Sequence, residues 1–151
     1  MDKILRHARE HGEIFEALSF FNKAASVAEG KKALDSLPGI NRLFSRDIAN
    51  HLRFEESRIF SLVLNNGGLK DKCIIRALQH EHIDILEKID EFKELFAGGS
   101  FAPEDKQRAK GLVELSREII NMMLTHSRKE DRELFPVFKR LGYSLEGKEK
   151  A

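Results

Sequence analysis

Two pairs of residues in this chain, His51 with Glu55 and His126 with Glu130, have the spacing His-x-x-x-Glu. On an α-helix, residues i and i+4 share a face, so each pair offers an imidazole and a carboxylate in one direction. Two further histidines, His11 and His82, precede these pairs. His11 to His51 is 40 residues (51 − 11) and His82 to His126 is 44 (126 − 82). The chain therefore reads as two similar halves, each supplying a His and then a His-x-x-x-Glu. The halves also match downstream: an acid follows each Glu (Glu56, Asp131), and a Phe stands nine residues after each His (Phe60, Phe135).

All six groups fall on apolar helical stripes. A single histidine on such a stripe is usually a satisfied core residue, but four with two carboxylates are harder to bury. An uncompensated buried carboxylate costs several kcal/mol, so a cation is expected among them. Imidazole and carboxylate both suit iron, although zinc and manganese also accept these ligands. On each His-x-x-x-Glu face the imidazole can bind one metal while the carboxylate reaches across two.

The elements that must position these groups are helices. Apolar residues recur at helical spacing in four long segments separated by Gly and Pro. The first spans about Lys3 to Ala28, with Ile4, Ala8, His11, Ile14 or Phe15, and Leu18 inward. Gly30 and Pro38-Gly39 bracket a connection in which Lys32 to Leu37 form at most a helical turn. The second runs from about Ile40 to Leu64, inward residues Ile40, Phe44, Ile48, His51, Glu55, Ile59 and Leu62, and stops at Asn65-Asn66-Gly67-Gly68. The third spans Leu69 to Phe96, with Ile75, Leu78, His82, Ile85, Ile89, Phe92 and Phe96 inward. The fourth starts near Pro103 and continues to about Leu134, with Leu112, Leu115, Ile119, Met122, His126 and Glu130 inward. Pro136 is expected to kink or end it before a last turn reaching Leu141. Short links between long amphipathic helices predict an all-α, up-down-up-down antiparallel four-helix bundle. Residues 1–145 form one domain and 146–151 a charged tail.

At these residues the sequence resembles the hemerythrin-like, HHE cation-binding family across nearly its whole length. The features are Glu10-His11, His51-x-x-x-Glu55-Glu56, Glu81-His82-x-x-Ile85, and His126-x-x-x-Glu130 followed by Leu134-Phe135-Pro136. The resemblance implies a di-iron centre with His11, His51, His82 and His126 as ligands and Glu55 and Glu130 bridging. Each iron would then take two imidazoles and two carboxylate oxygens, and six-coordination leaves room for a shared oxo or hydroxo bridge and one open position on each iron for O2, NO or peroxide. Oxygen-carrying hemerythrins have a further ligand His one turn after the third-helix His, where this chain has Leu86. They also bridge with an Asp five residues after the last His, where this chain has Asp131 beside Glu130; the internal repeat favours Glu130. The set looks more like the hemerythrin-like iron and oxygen sensors and the proteins implicated in repair of damaged iron centres. Two functions stay open: a module that binds or senses O2, NO, redox state or iron, and a reactive or repair enzyme.

Other residues carry less. His7, one turn before His11, is a fifth ligand, a neighbour of the ligands, or an exposed His at the end of the bundle, and Glu56 is an alternative ligand or a neighbour of the ligands. His80 lies about 200° around the helix from His82 and Cys73 about 180°, so neither points inward. Met122 and Met123 read as core filling and Tyr143 as a contact beyond the bundle. No histidine follows a Glu by three, which excludes the ferritin pattern, and no phosphate loop or nucleophile motif is present. The 26 basic and 25 acidic residues alternate in sign, net +1, so no patch suggests nucleic acid or a membrane surface. No stretch reaches the ~20 apolar residues of a membrane span. One cysteine excludes an internal disulfide and fits a reducing, cytoplasmic setting.

Overall fold

A computed structural model describes residues 12–20, 31–97 and 106–142. His7, His11, Tyr143, the expected tail and the expected starts of the first and fourth helices lie outside the described residues. Within them the chain forms four helical stretches and no strand. Helix α1 covers 12–20. Helix α2 covers 31–66, helix α3 is Leu69–Phe96, and helix α4 covers 106–140.

Helix α2 begins earlier than the punctuation suggested. It is helical from Lys31, and Pro38 and Gly39 lie inside it. A proline in a helix interior forfeits a hydrogen bond and costs ~3 kcal/mol. Leu37 and Ile40, which flank it, are fully buried. Each such side chain contributes ~1.5–3 kcal/mol on burial, enough between them to offset the proline.

Two stretches of α2, Leu43–Ile48 and Glu55–Phe60, and one of α4, Glu130–Leu134, are wound as π-helix. Backbone dihedrals stay helical across their ends, so α2 and α4 continue through them. A π turn accommodates extra residues and moves the downstream face. Val63 is consequently the fully buried residue at the end of α2, and Leu62 is only partly covered. In α4 Pro136 is the second residue of the resumed α-helix Phe135–Arg140, one position past the π stretch, and the short last turn expected from the sequence forms. Upstream in α4, Met123 is buried while Met122 packs at the margin of the core.

The core is two apolar clusters. The larger gathers Ile14 and Leu18 of α1 with Leu37, Phe44 and Ile48 of α2, Ile85 and Phe92 of α3, and Ile119 and Met123 of α4. Phe44 and Phe92 meet edge to face with ring centroids 5.2 Å apart. The smaller gathers Ile59, Phe60 and Val63 with Ile75, Leu78, Leu134 and Phe138. Between them in sequence on α2, α3 and α4 stand the histidines and glutamates singled out above.

The end of the bundle beneath the smaller cluster is tied by Asp71. Its carboxylate accepts a hydrogen bond from the Gly68 N–H at 3.0 Å, closing the first turn of α3. It also pairs with Arg140 at the end of α4. Gly67 makes the turn between α2 and α3 possible, because a Cβ there would stand 2.7 Å from the Val63 carbonyl oxygen and 2.8 Å from Asp71 Cβ. The Arg140 guanidinium, and then the Gly68 N–H, hold the Asp71 carboxyl below its ordinary value of 3.8.

A carboxyl lowered on folding contributes stability that is present above its unfolded pKa and lost as pH falls through its folded value. Asp71→Asn is therefore expected to lower the urea midpoint at pH 7 and to narrow its gap from the native protein as pH falls below 3.8. Urea melts of both proteins across that range check this; a gap that does not change with pH would show that the carboxylate charge contributes nothing.

Candidate metal centre

Five residues on three helices form one buried layer. Relative exposures are 3% for His51, 0% for Glu55, 2% for His82, 1% for His126 and 1% for Glu130. The i, i+4 relation brings Glu55 Oε1 within 3.7 Å of His51 Nε2 and Glu130 Oε1 within 3.1 Å of His126 Nε2. Packing of α3 and α4 against α2 then brings His82 Nε2 to 3.4 Å and His126 Nε2 to 4.0 Å from the same Glu55 oxygen. The result is two overlapping groups, Glu55–His82–His126 and His51–Glu55–Glu130, each with its donor atoms within 4.8 Å of one another. Glu55 belongs to both.

The histidines are held from outside. His82 donates its Nδ1–H to Glu56 Oε1 at 2.9 Å, and His126 donates its Nδ1–H to Glu81 Oε1 at 3.1 Å. A carboxylate can only accept, so these bonds place the ring protons on Nδ1 and leave both Nε2 atoms as acceptors pointing inward. Phe60 stacks on the His82 ring at 5.0 Å from the side of the smaller cluster. The outer carboxylates are themselves gripped: Gln79 donates to Glu56 Oε2 at 3.1 Å, and Lys129 to Glu81 Oε2 at 2.7 Å. Burial pushes the Glu81 carboxyl up, but the hydrogen bonds from His126 and Lys129 outweigh it and hold it below its usual value.

This arrangement fits a cation. His82 Nε2 and His126 Nε2 stand 2.9 Å apart. With both protons on the Nδ1 atoms, two lone pairs face each other, and only a proton or a metal between them removes the repulsion. Two nitrogens ~2.0–2.1 Å from one metal and at right angles would be separated by about this distance. Both oxygens of Glu130 are buried without a hydrogen-bond donor among the described residues. A carboxylate so placed calls for a positive partner.

The sequence-nominated residues divide clearly. His51, Glu55, His82, His126 and Glu130 come together, whereas Asp131 lies on an exposed face and Glu56 acts on His82 from outside the layer. His80 and Cys73 are exposed. Glu81, Lys129 and Gln79 received no role from the sequence. One signal was available: Glu56 and Glu81 each adjoin an inward residue, about 100° around the helix, on the flank nearest the next helix.

Comparison with known proteins agrees with the geometry. The family profile described as the hemerythrin HHE cation binding domain matches residues 6–138. No curated protein and no solved structure matches the chain.

A ligand that binds only the folded state stabilises it by about 2.7 kcal/mol at 100 times its dissociation constant. For a chain of this length each kcal/mol moves the melting temperature ~2–4 °C. Anaerobic addition of Fe(II) is thus expected to raise the melting temperature by roughly 5–10 °C. Glu130→Gln should remove most of that gain and Asp131→Asn should leave it intact. Thermal melts of the three proteins decide it; the reverse pattern would assign the bridging role to Asp131.

Proposed function

The chain belongs to the hemerythrin HHE cation-binding family, and on that footing we propose that it carries two iron ions in this layer and binds or senses a small diatomic ligand, O2 or NO, or the redox or iron status of its surroundings. The observation that carries the reading is the shared Glu55, which stands in both ligand groups at once. One group already holds two imidazoles, His82 and His126, and the other holds one, His51. His11, outside the described residues, is assigned as the second imidazole of the His51 group. Glu130 lies close to His126 as well as to His51 and Glu55, and so takes the second bridging role.

Bound iron would supply an open coordination position and a reversible one-electron couple. The residues supply the rest. Glu55 and Glu130 would offset the charge of the two cations they hold. Glu56 and Glu81 fix the ring orientation and tautomer of His82 and His126, a support that commonly contributes 10–100-fold to metal affinity. Phe60, Ile48, Ile59 and Ile85 surround the layer with apolar surface, which favours entry of small uncharged molecules over ions. We read residues 1–145 as one domain and the four helices as an up-down-up-down bundle, supported by the two-residue link between α2 and α3. No helix among the described residues is long and apolar enough to cross a membrane.

Metal analysis of the purified protein is expected to give close to two irons per chain, with ferric charge-transfer bands that bleach on anaerobic reduction. A spectral change with O2 or NO that reverses on removing the gas supports binding or sensing. Rapid irreversible oxidation with turnover of peroxide supports the enzyme instead. Zinc or manganese in place of iron, or no metal with no thermal stabilisation by Fe(II), overturns the di-iron reading.

A further inference from the structure

The two outer carboxylates are built alike but differ in charge. In each, a carboxylate from a neighbouring helix bridges a ligand-type His and a residue three positions away on that His's own helix. Glu56 of α2 joins His82 to Gln79, and Glu81 of α3 joins His126 to Lys129. The grip on Glu56 is a neutral amide at 3.1 Å, whereas the grip on Glu81 is an ammonium at 2.7 Å. Both outer pairs are partly exposed: side-chain exposure is 38% for Glu56, 29% for Glu81 and 28% for Lys129. A groove of about 460 Å³ between α3 and α4, bordered by Glu81, Asp84, Asn121 and Thr125, opens beside Glu81.

A carboxylate that accepts an imidazole Nδ1–H pulls on that proton and makes Nε2 a stronger electron donor. Its pull depends on how much negative charge it can direct at the ring. The neutral Gln79 leaves Glu56 its full charge. Lys129 shares the charge of Glu81 and weakens its pull on His126. Since His82 Nε2 and His126 Nε2 are only 2.9 Å apart and face the same Glu55 oxygen, both would bind one metal, one as the stronger and one as the weaker donor.

We propose that Glu81 and Lys129 are a positioning pair that makes His126 the weaker imidazole donor and so raises the Fe(III)/Fe(II) potential of the iron it shares with His82. This rests on the metal-binding reading above. A weaker donor stabilises the ferric state less, so a single electron delivered to that iron meets a higher potential. The difference between the two imidazoles of that iron is thus written in the charge of a residue that touches neither metal nor ligand nitrogen.

The test is a mediated redox titration of iron-loaded protein, with iron content measured on every sample. Lys129→Gln is expected to lower the first midpoint, and a tenfold gain in preference for ferric iron would appear as about 59 mV for one electron. Lys129→Arg, which keeps the cation, should restore the native value. In a Glu81→Gln background the Lys129→Gln shift should vanish, because the cation then has no carboxylate to act through. Gln79→Lys, which places a matching cation on Glu56, should raise the midpoint and tests the same idea without disturbing Glu81. In the redox-silent Zn(II) form, Glu81→Gln should weaken affinity 10–100-fold. An unchanged midpoint in Lys129→Gln at full iron content overturns this assignment alone, and so does a shift that persists in the Glu81→Gln background. Failure of the native protein to take up iron would instead sink the metal-binding reading, and it is seen before any variant is compared.

Discussion

Glu55 and Glu130 lie almost wholly out of water between two apolar clusters, with three imidazoles beside them. Desolvating carboxylates costs several kcal/mol each, and attraction to a partner repays that only when the geometry is good and the remaining lone pairs are met. The Nε2 atoms of His82 and His126, 3.1 to 4.0 Å from the carboxylate oxygens, do not meet this demand, because they turn lone pairs and not protons towards them. What is left is a demand for positive charge at the centre. The apolar clusters above and below supply the folding free energy against which that cost is set.

The same constraint explains the layer's surroundings. Two inward Nε2 atoms 2.9 Å apart are tolerable only if the rings cannot swing away to water or flip tautomer. Glu56 and Glu81 prevent both by accepting hydrogen bonds from the Nδ1–H groups, and Phe60 closes the His82 ring from one side. Two of the three π-helical stretches begin at Glu55 and Glu130 themselves. Each is placed where the face must change from a buried glutamate to the apolar residues that seal the smaller cluster, Ile59 and Phe60 in one case and Leu134 in the other. The internal repeat of the sequence thus reappears as a repeat of backbone geometry.

The outer supports break that repeat. Gln79 and Lys129 occupy comparable places around their histidines, one neutral and one charged. A surface pair of this kind is worth little for stability. Its consequence lies in the electronic character of the buried imidazole it reaches. Farther along, the Asp71–Arg140 pair and the close approach at Gly67 lock the α2–α3 turn to the end of α4, which steadies the register on which the layer depends.

Residue type and spacing were enough to define the helical class, the inward face of α3 from Ile75 to Phe92, and the burial of His51, Glu55, His82, His126 and Glu130 in one layer; His11, nominated with them, lies outside the described residues. These follow from periodicity, because a 3.6-residue repeat assigns a face without knowledge of any partner. Tertiary structure decided what periodicity cannot carry. Pro38 stays within a helix because Leu37 and Ile40 are buried on either side of it. Val63 replaces Leu62 in the core because a π turn rotates the face. Glu81 meets His126, 45 residues away, because α3 packs on α4 at one register. Spacing along one helix says nothing of the register between two, so the groups that orient the ligands became visible only once the helices were packed.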